Sequence, residues 1–267
     1  MHIRYSTLKL AILFVIVSAL ATTWTVWPVS VASAAIPQAN YTALGDSIAF
    51  GLYAFPGLGY VPLYAKALHS ANNVSVNLFP LGVPGWTSTD LANALKTNVV
   101  FQVFVYSSDA TTVNIGGNDL NQARSSFKAG TCGGSDNQDC LRNAVTTFGS
   151  NWLFIINAIR FLRNGRPTIL RTMDIYNPYV DEDTTTGDFD VLNKYLNDVN
   201  GIIHSTESIV PVANVYYAFN ILNGKVVDPA SKGLLAFDGF HPNTLGHARI
   251  AAKLNELGYG ASIPTFP

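Results

Sequence analysis

The chain has 267 residues, of which 48% are hydrophobic and only 12% charged, with a formal net charge of −1. That length and apolar content exclude a disordered chain and fit one domain with a single sizeable core. Without the first 34 residues, which hold Arg4 and Lys9 and no acid, 14 basic residues face 17 acidic ones (−3), which gives no electrostatic reason to expect nucleic acid or anionic lipid as a partner.

The first 34 residues have the make-up of a secretory leader. His2, Arg4 and Lys9 form a basic start, Leu10 to Leu20 an apolar run, and Ala32-Ser33-Ala34 a small-residue cleavage site. The expectation is a secreted protein whose mature chain begins near Ala35, as one domain over 35–267. An uncleaved leader would instead be a membrane anchor; Pro28 and the Ala-x-Ala pattern favour cleavage.

Beyond the leader, strand-like and helix-like stretches alternate. Tyr41–Leu44 reads as a buried strand. Tyr60–His69 carries apolar residues at helical spacing, with Pro62 in the first turn, where proline is tolerated. Asn73–Phe79 alternates as a strand does, with Val74, Val76 and Leu78 on one face. Thr87 or Ser88 can cap a helix running through Lys96, with Asp90 in its first turn. Thr111–Ile115 reads as a short strand, Leu141–Leu162 as a long helix and Thr168–Thr172 as a strand. Phe189–Ser205 reads as a helix and Ile209–Val215 as a strand. Thr244–Leu257 closes the series as an amphipathic helix opened by Asn243 and followed by Gly258. Five such alternations predict a mostly parallel sheet with helices on both faces. Ligands on such sheets bind outside the carboxyl ends of the strands, which puts Ser47, Gly85 and Asn118 on one rim.

Cys132 and Cys140 lie in a Gly/Asp/Asn-rich stretch. In an exported chain they are expected to form a disulfide; the rival metal or redox pair lacks both a C-x-x-C spacing and a nearby histidine.

A serine hydroxyl is a poor nucleophile until a base takes its proton, and histidine is the usual base near neutral pH. Ser47 follows the first strand. His69 and His204 sit toward helix ends, where a surface or cap role explains them, and His247 lies inside the last helix. His241 stands apart in "FDGFHPN", between a glycine and a proline, with Asp238 three residues before it. Across a tight turn that spacing lets a carboxylate reach Nδ1 and fix the tautomer. Taken singly, Asp238-Gly239 is also an ordinary turn and His-Pro-Asn an ordinary helix lead-in. Acyl transfer further needs donors for an oxyanion, and the Ser47 N–H, the Gly85 N–H and the Asn118 amide are the candidates.

Gly45-Asp46-Ser47, Gly85, Gly117-Asn118-Asp119 and Asp238-x-x-His241, in this order, resemble the blocks of the SGNH hydrolases, the GDSL esterase/lipase family. The resemblance spans Gly45 to Pro242. It implies a flavodoxin-like α/β/α three-layer sandwich. It also implies Ser47 as nucleophile and oxyanion donor, Gly85 and Asn118 as the other donors, His241 as base, Asp238 as its orienting acid, and no metal or other cofactor. Two positions depart from the pattern: Ile48 after the serine, and Pro80 where the second block often has asparagine. The segment Gln122–Asp139 looks like an insertion that forms one wall of the site. The α/β-hydrolase elbow is excluded, since Ala49 stands where G-x-S-x-G needs glycine.

The function expected is a secreted serine esterase or lipase acting through an acyl-enzyme, as a monomer with no obligate protein partner. Trp86 and Tyr53, with Phe55 and Leu58, are candidates for an apolar acyl pocket, against the plainer reading that they pack the core. The substrate would be a small-molecule, lipid or polysaccharide ester. The alternatives are a carbohydrate acetylesterase on the same site and a non-catalytic carbohydrate- or surface-binding module.

Overall fold

The computed structural model describes residues 36–259, so the expected leader lies outside the described residues. In chain order the elements are β1 (Gln38–Gly45), α1 (Ser47–Phe50), α2 (Tyr60–Asn72), β2 (Ser75–Gly82), α3 (Ser88–Thr97), α4 (Val99–Ser107), β3 (Ala110–Asn114), α5 (Gly117–Lys128) and α6 (Asp139–Arg163). There follow β4 (Ile169–Met173), α7 (Val180–Thr186), α8 (Phe189–His204), β5 (Val212–Ala213), α9 (Val215–Asn220), the hairpin of β6 (Ile221–Leu222) and β7 (Lys225–Val226), and α10 (Thr244–Glu256).

β1 to β5 form one sheet in the order β2-β1-β3-β4-β5, with every neighbouring pair parallel. Strands of such a sheet are covered on both faces, so successive residues of one strand feed opposite cores. Tyr41 and Ala43 pack with α2, α9 and α10, whereas Leu44 packs with α3, α4, α6 and α8. Ile169 and Leu170 divide between the two clusters in the same way. The result is the expected three-layer sandwich in the flavodoxin-like strand order.

Several elements differ from the sequence expectation or were not anticipated by it. β5 is only two residues long, not a strand over 209–215. Val99–Ser107, rich in β-branched residues, is a helix: Asn98 caps it by accepting from the Val100 N–H at 2.9 Å, and Phe101 and Val105, one turn apart, are its buried face. The segment Gln122–Asp139 is helical over its first part, because α5 begins at Gly117 and runs to Lys128. Only the following stretch is loop, closed by the disulfide Cys132–Cys140. Pro80 sits within β2, an edge strand with one neighbour, where a residue without an N–H is tolerated.

Among the described residues no helix is long and apolar enough to cross a membrane.

Candidate active site

Ser47 owes its position to two close backbone approaches. β1 ends at Gly45, with φ +150°, where an added Cβ would lie 2.1 Å from the Asn114 carbonyl oxygen at the end of β3. On the other side, a Cβ on Gly82 would lie 2.4 Å from the Phe50 nitrogen. The single turn of α1 is thus wedged between β2 and β3. Asp46 caps it, accepting the Ile48 N–H at 2.9 Å, and Gly51 ends it in the left-handed region. Burial pushes the Asp46 carboxyl up to about 7, against the lowering pull of the Ile48 N–H.

The histidine comes from the other end of the chain. Residues 233–243 form a tight loop, closed by a bridge between Leu235 and Pro242 and by the Ala236 N–H donating to the His241 carbonyl at 2.8 Å. Asn243 anchors it twice. Its amide donates to the carbonyls of Gly233 (2.8 Å) and Leu235 (2.9 Å), while its Oδ1 accepts the N–H groups of Leu245 (2.9 Å) and Gly246 (3.0 Å) at the start of α10. Gly246 permits this docking, because a Cβ there would lie 2.3 Å from the Leu234 carbonyl oxygen.

Within the loop, Asp238 Oδ1 accepts the N–H groups of Phe240 (3.1 Å) and His241 (3.0 Å), and its Oδ2 lies 2.5 Å from His241 Nδ1. His241 Nε2 lies 2.8 Å from Ser47 Oγ. A carboxylate facing Nδ1 assigns the proton to that nitrogen and leaves Nε2 as acceptor for the serine O–H. Partial burial raises the Asp238 carboxyl, but the bonds from His241 and the two N–H groups outweigh it and hold the group below the ordinary carboxylate range.

The three donor candidates are linked through their loops. Ser47 opens α1, so its N–H has no acceptor one turn back in the helix. The Val83 N–H donates to the Gly45 carbonyl at 3.0 Å, which ties the Gly85 loop to the base of the serine turn. Gly85 has φ +83° and open space where a Cβ would stand. Asn118 lies in the first turn of α5, and its amide donates to the Trp86 carbonyl at 2.8 Å, leaving the second N–H of the group. Asp119 secures the same junction by accepting the Ser88 N–H (2.8 Å) and hydroxyl (2.5 Å). Its carboxyl is raised by burial, with those bonds opposing.

The other histidines are engaged elsewhere. His69 Nδ1 lies 2.6 Å from the Val74 carbonyl, and His204 stands between Asp174 and Glu207. His247 is fully buried. Its Nε2–H donates to the Leu52 carbonyl at 3.0 Å, and Nδ1 accepts the Tyr60 N–H at 3.3 Å, so both ring nitrogens brace the segment after Ser47. Burial lowers its pKa to about 4.

Trp86 stacks on Phe101, with centroids 5.3 Å apart. Tyr53 lies beside His241 (5.4 Å) and Phe237 (4.9 Å). Neither lines the apolar cavity next to the site. That cavity is bounded by Ile48, Leu120, Tyr176, Tyr179, Leu196 and Phe240. Sequence reasoning assigned none of these residues to a pocket, Ile48 having stood out only as a departure from the family pattern; the one usable signal was that Ile48 and Phe240 each adjoin a site residue. A ladder of planar groups connects cavity and histidine: Phe240 packs edge-on against His241 (4.7 Å) and stacks on Tyr179 (5.9 Å), and Arg124 lies 3.7 Å over the Tyr179 ring. Arg124 lines the cavity, but its charge is met by Asp183 at 2.6 Å and Glu182 at 2.7 Å.

A family model described as GDSL-like Lipase/Acylhydrolase family matches residues 43–249. Among solved structures, the fold is similar to that of a lipase from a goat rumen metagenome (TM-score 0.69, 24% identity, covering 84% of this chain and 99% of that one). It is also similar to a lipase/acylhydrolase from Enterococcus faecalis (TM-score 0.57, 18% identity, 86% and 100%). A third similar structure is an acetylxylan esterase from Geobacillus stearothermophilus (TM-score 0.55, 22% identity, 84% and 96%). A search of curated proteins finds no significant match.

Proposed function

We propose a mechanism for a chain that belongs to the GDSL-like lipase/acylhydrolase family: it is a serine ester hydrolase in which Ser47 is acylated and His241 moves the protons. Nε2 of His241 takes the Ser47 proton as Oγ bonds to the acyl carbon, and the carbonyl electron pair moves onto its oxygen. The N–H groups of Ser47 and Gly85 and the Asn118 amide hold that oxyanion. Collapse breaks the ester C–O bond, and His241 gives its proton to the departing alcohol. Water then attacks the acyl carbon as His241 removes its proton; the proton passes to Ser47 Oγ and the carboxylic acid leaves. Asp238 keeps Nδ1 protonated and stabilises the imidazolium formed in each step.

The observation that carries this reading is the unbroken chain from Asp238 Oδ2 through the imidazole to Ser47 Oγ, with contacts of 2.5 and 2.8 Å. All members of this chain of contacts come from one polypeptide. The apolar cavity behind Phe240 favours acyl chains longer than acetyl, with the neutralised Arg124 offering no free charge to an acid group. The disulfide Cys132–Cys140 favours an extracytoplasmic setting.

Labelling with a fluorophosphonate followed by peptide mapping tests the nucleophile: the adduct is expected on Ser47 and absent from Ser47→Ala. No adduct on the native protein would leave a non-catalytic binding module. A kcat/KM series from acetate to palmitate tests the substrate, and a sharp optimum at acetate would give the site to a carbohydrate acetylesterase.

A further inference from the structure

The stretch Ile48–Leu63 contains no charged residue, and Gly233–Gly246 contains only Asp238, which is bound to His241. The structure brings these two stretches together at the mouth of the site. The Phe55 N–H donates to Thr244 Oγ1 at 3.0 Å, placing the 51–58 loop against the start of α10. Tyr53 bridges to the other stretch through Phe237 and His241. Its φ of 62° is a left-handed conformation that an aromatic residue rarely adopts, so the surrounding structure holds the ring there against local preference.

The outcome is a rim of large apolar side chains facing solvent. Phe237 is 90% exposed and Phe55 71%, and Tyr53, Leu58 and Leu245 are also exposed. An apolar patch beside a site marks an interaction surface rather than a core that failed to form. We propose that this rim seats the protein on the surface of an aggregated, uncharged ester phase such as a glyceride droplet, with Ser47 facing the phase. The inference rests on the proposed ester hydrolysis and adds where the substrate is met.

Two features choose this occupant. The rim has no free charge, so it complements an uncharged surface and gives no purchase on an anionic one. It is also poor in hydrogen-bonding groups: Thr244 Oγ1 is engaged by the Phe55 N–H, and Phe55, Phe237, Leu58 and Leu245 offer none. A hydrated polysaccharide would need several polar side chains between its stacking rings, and on this rim only the Tyr53 and Thr244 hydroxyls are of that kind.

The test uses local reporters in a Ser47→Ala background, so that binding is read without turnover. Phe237→Trp and Phe55→Trp are made singly, and the emission of the new tryptophan is taken as the difference from the parent protein. On addition of trioctanoin droplets, each reporter is expected to shift to the blue by roughly 10 nm or more and to be quenched by brominated acyl chains. The double variant Phe55→Ser/Phe237→Ser is expected to lower the droplet-bound fraction at least tenfold. Unshifted, unquenched reporters overturn the proposal, as does a shift seen with acetylated xylan and not with droplets. Because these readings are taken without Ser47, a failure here stays separate from a failure of fluorophosphonate labelling.

Discussion

Removing the Asn243 side chain isolates how His241 is held. Asn243→Ala deletes the cap of α10 and both amide bonds to the Gly233 and Leu235 carbonyls. Loss of an asparagine cap costs about 1 kcal/mol. The two amide bonds contribute about 1 kcal/mol each, for a total near 3 kcal/mol. Asn243→Ser keeps a capping oxygen and loses most of the amide contribution, so it should fall about 1 kcal/mol short of that loss. Urea unfolding at pH 7 with a common m-value measures both. The same substitutions free the ends of the loop that carries Asp238 and His241, so kcat is expected to fall more than tenfold in the alanine variant at temperatures where it remains folded. If Asn243→Ala unfolds within 0.5 kcal/mol of the native protein, or serine and alanine variants prove equal, Asn243 does not anchor the loop as described.

His247 binds its proton with a pKa near 4 when folded against 6.5 when unfolded, so its contribution is complete above 6.5 and is lost as pH falls toward 4. That gap corresponds to about 3 kcal/mol. Asp46 opposes it, because a carboxyl raised to about 7 favours the folded state at low pH and loses that favour as pH rises from about 4 to 7. The comparison to make is therefore native against His247→Gln from pH 7 to 4, where the glutamine variant should show the smaller destabilisation; parallel curves would refute it. Arg124→Met leaves buried Asp183 without its bidentate partner and should cost about 3 kcal/mol in chemical denaturation, while a neutral result would mean that Lys128 alone suffices. Leu196→Phe, which intrudes on the cavity, should lower the octanoate-to-acetate ratio of kcat/KM at least tenfold; an unchanged ratio would place the acyl chain elsewhere.

What the sequence disclosed and what it hid follow from the range of the interactions involved. The FDGFHPN turn was readable because its chemistry is local: Asp238 reaches His241 across three residues, and Asn243 caps the helix it precedes. The parallel sheet was readable in outline, since alternation of strand and helix predicts one. The helix of Val99–Ser107 was hidden because its β-branched composition favours a strand, and the Asn98 cap together with packing against α3 and α6 decides otherwise. The start of α5 was hidden because Gly-Gly-Asn-Asp is ordinary turn composition, although only Gly116 serves the turn and Gly117 already opens the helix. The cavity was the least readable feature, its walls coming from α5, α6, α8 and the loop after β4, whose meeting no local pattern encodes.

The crowding around Gly45 and Gly82 also bears on how such a protein can be redesigned. With a neighbouring main chain within 2.1 and 2.4 Å of a new side-chain carbon at either glycine, the Ser47 hydroxyl has no room to be steered by changes at these two positions. New selectivity must enter through the distant cavity walls or the solvent-facing rim, where side chains can grow or shrink without touching that fixed support.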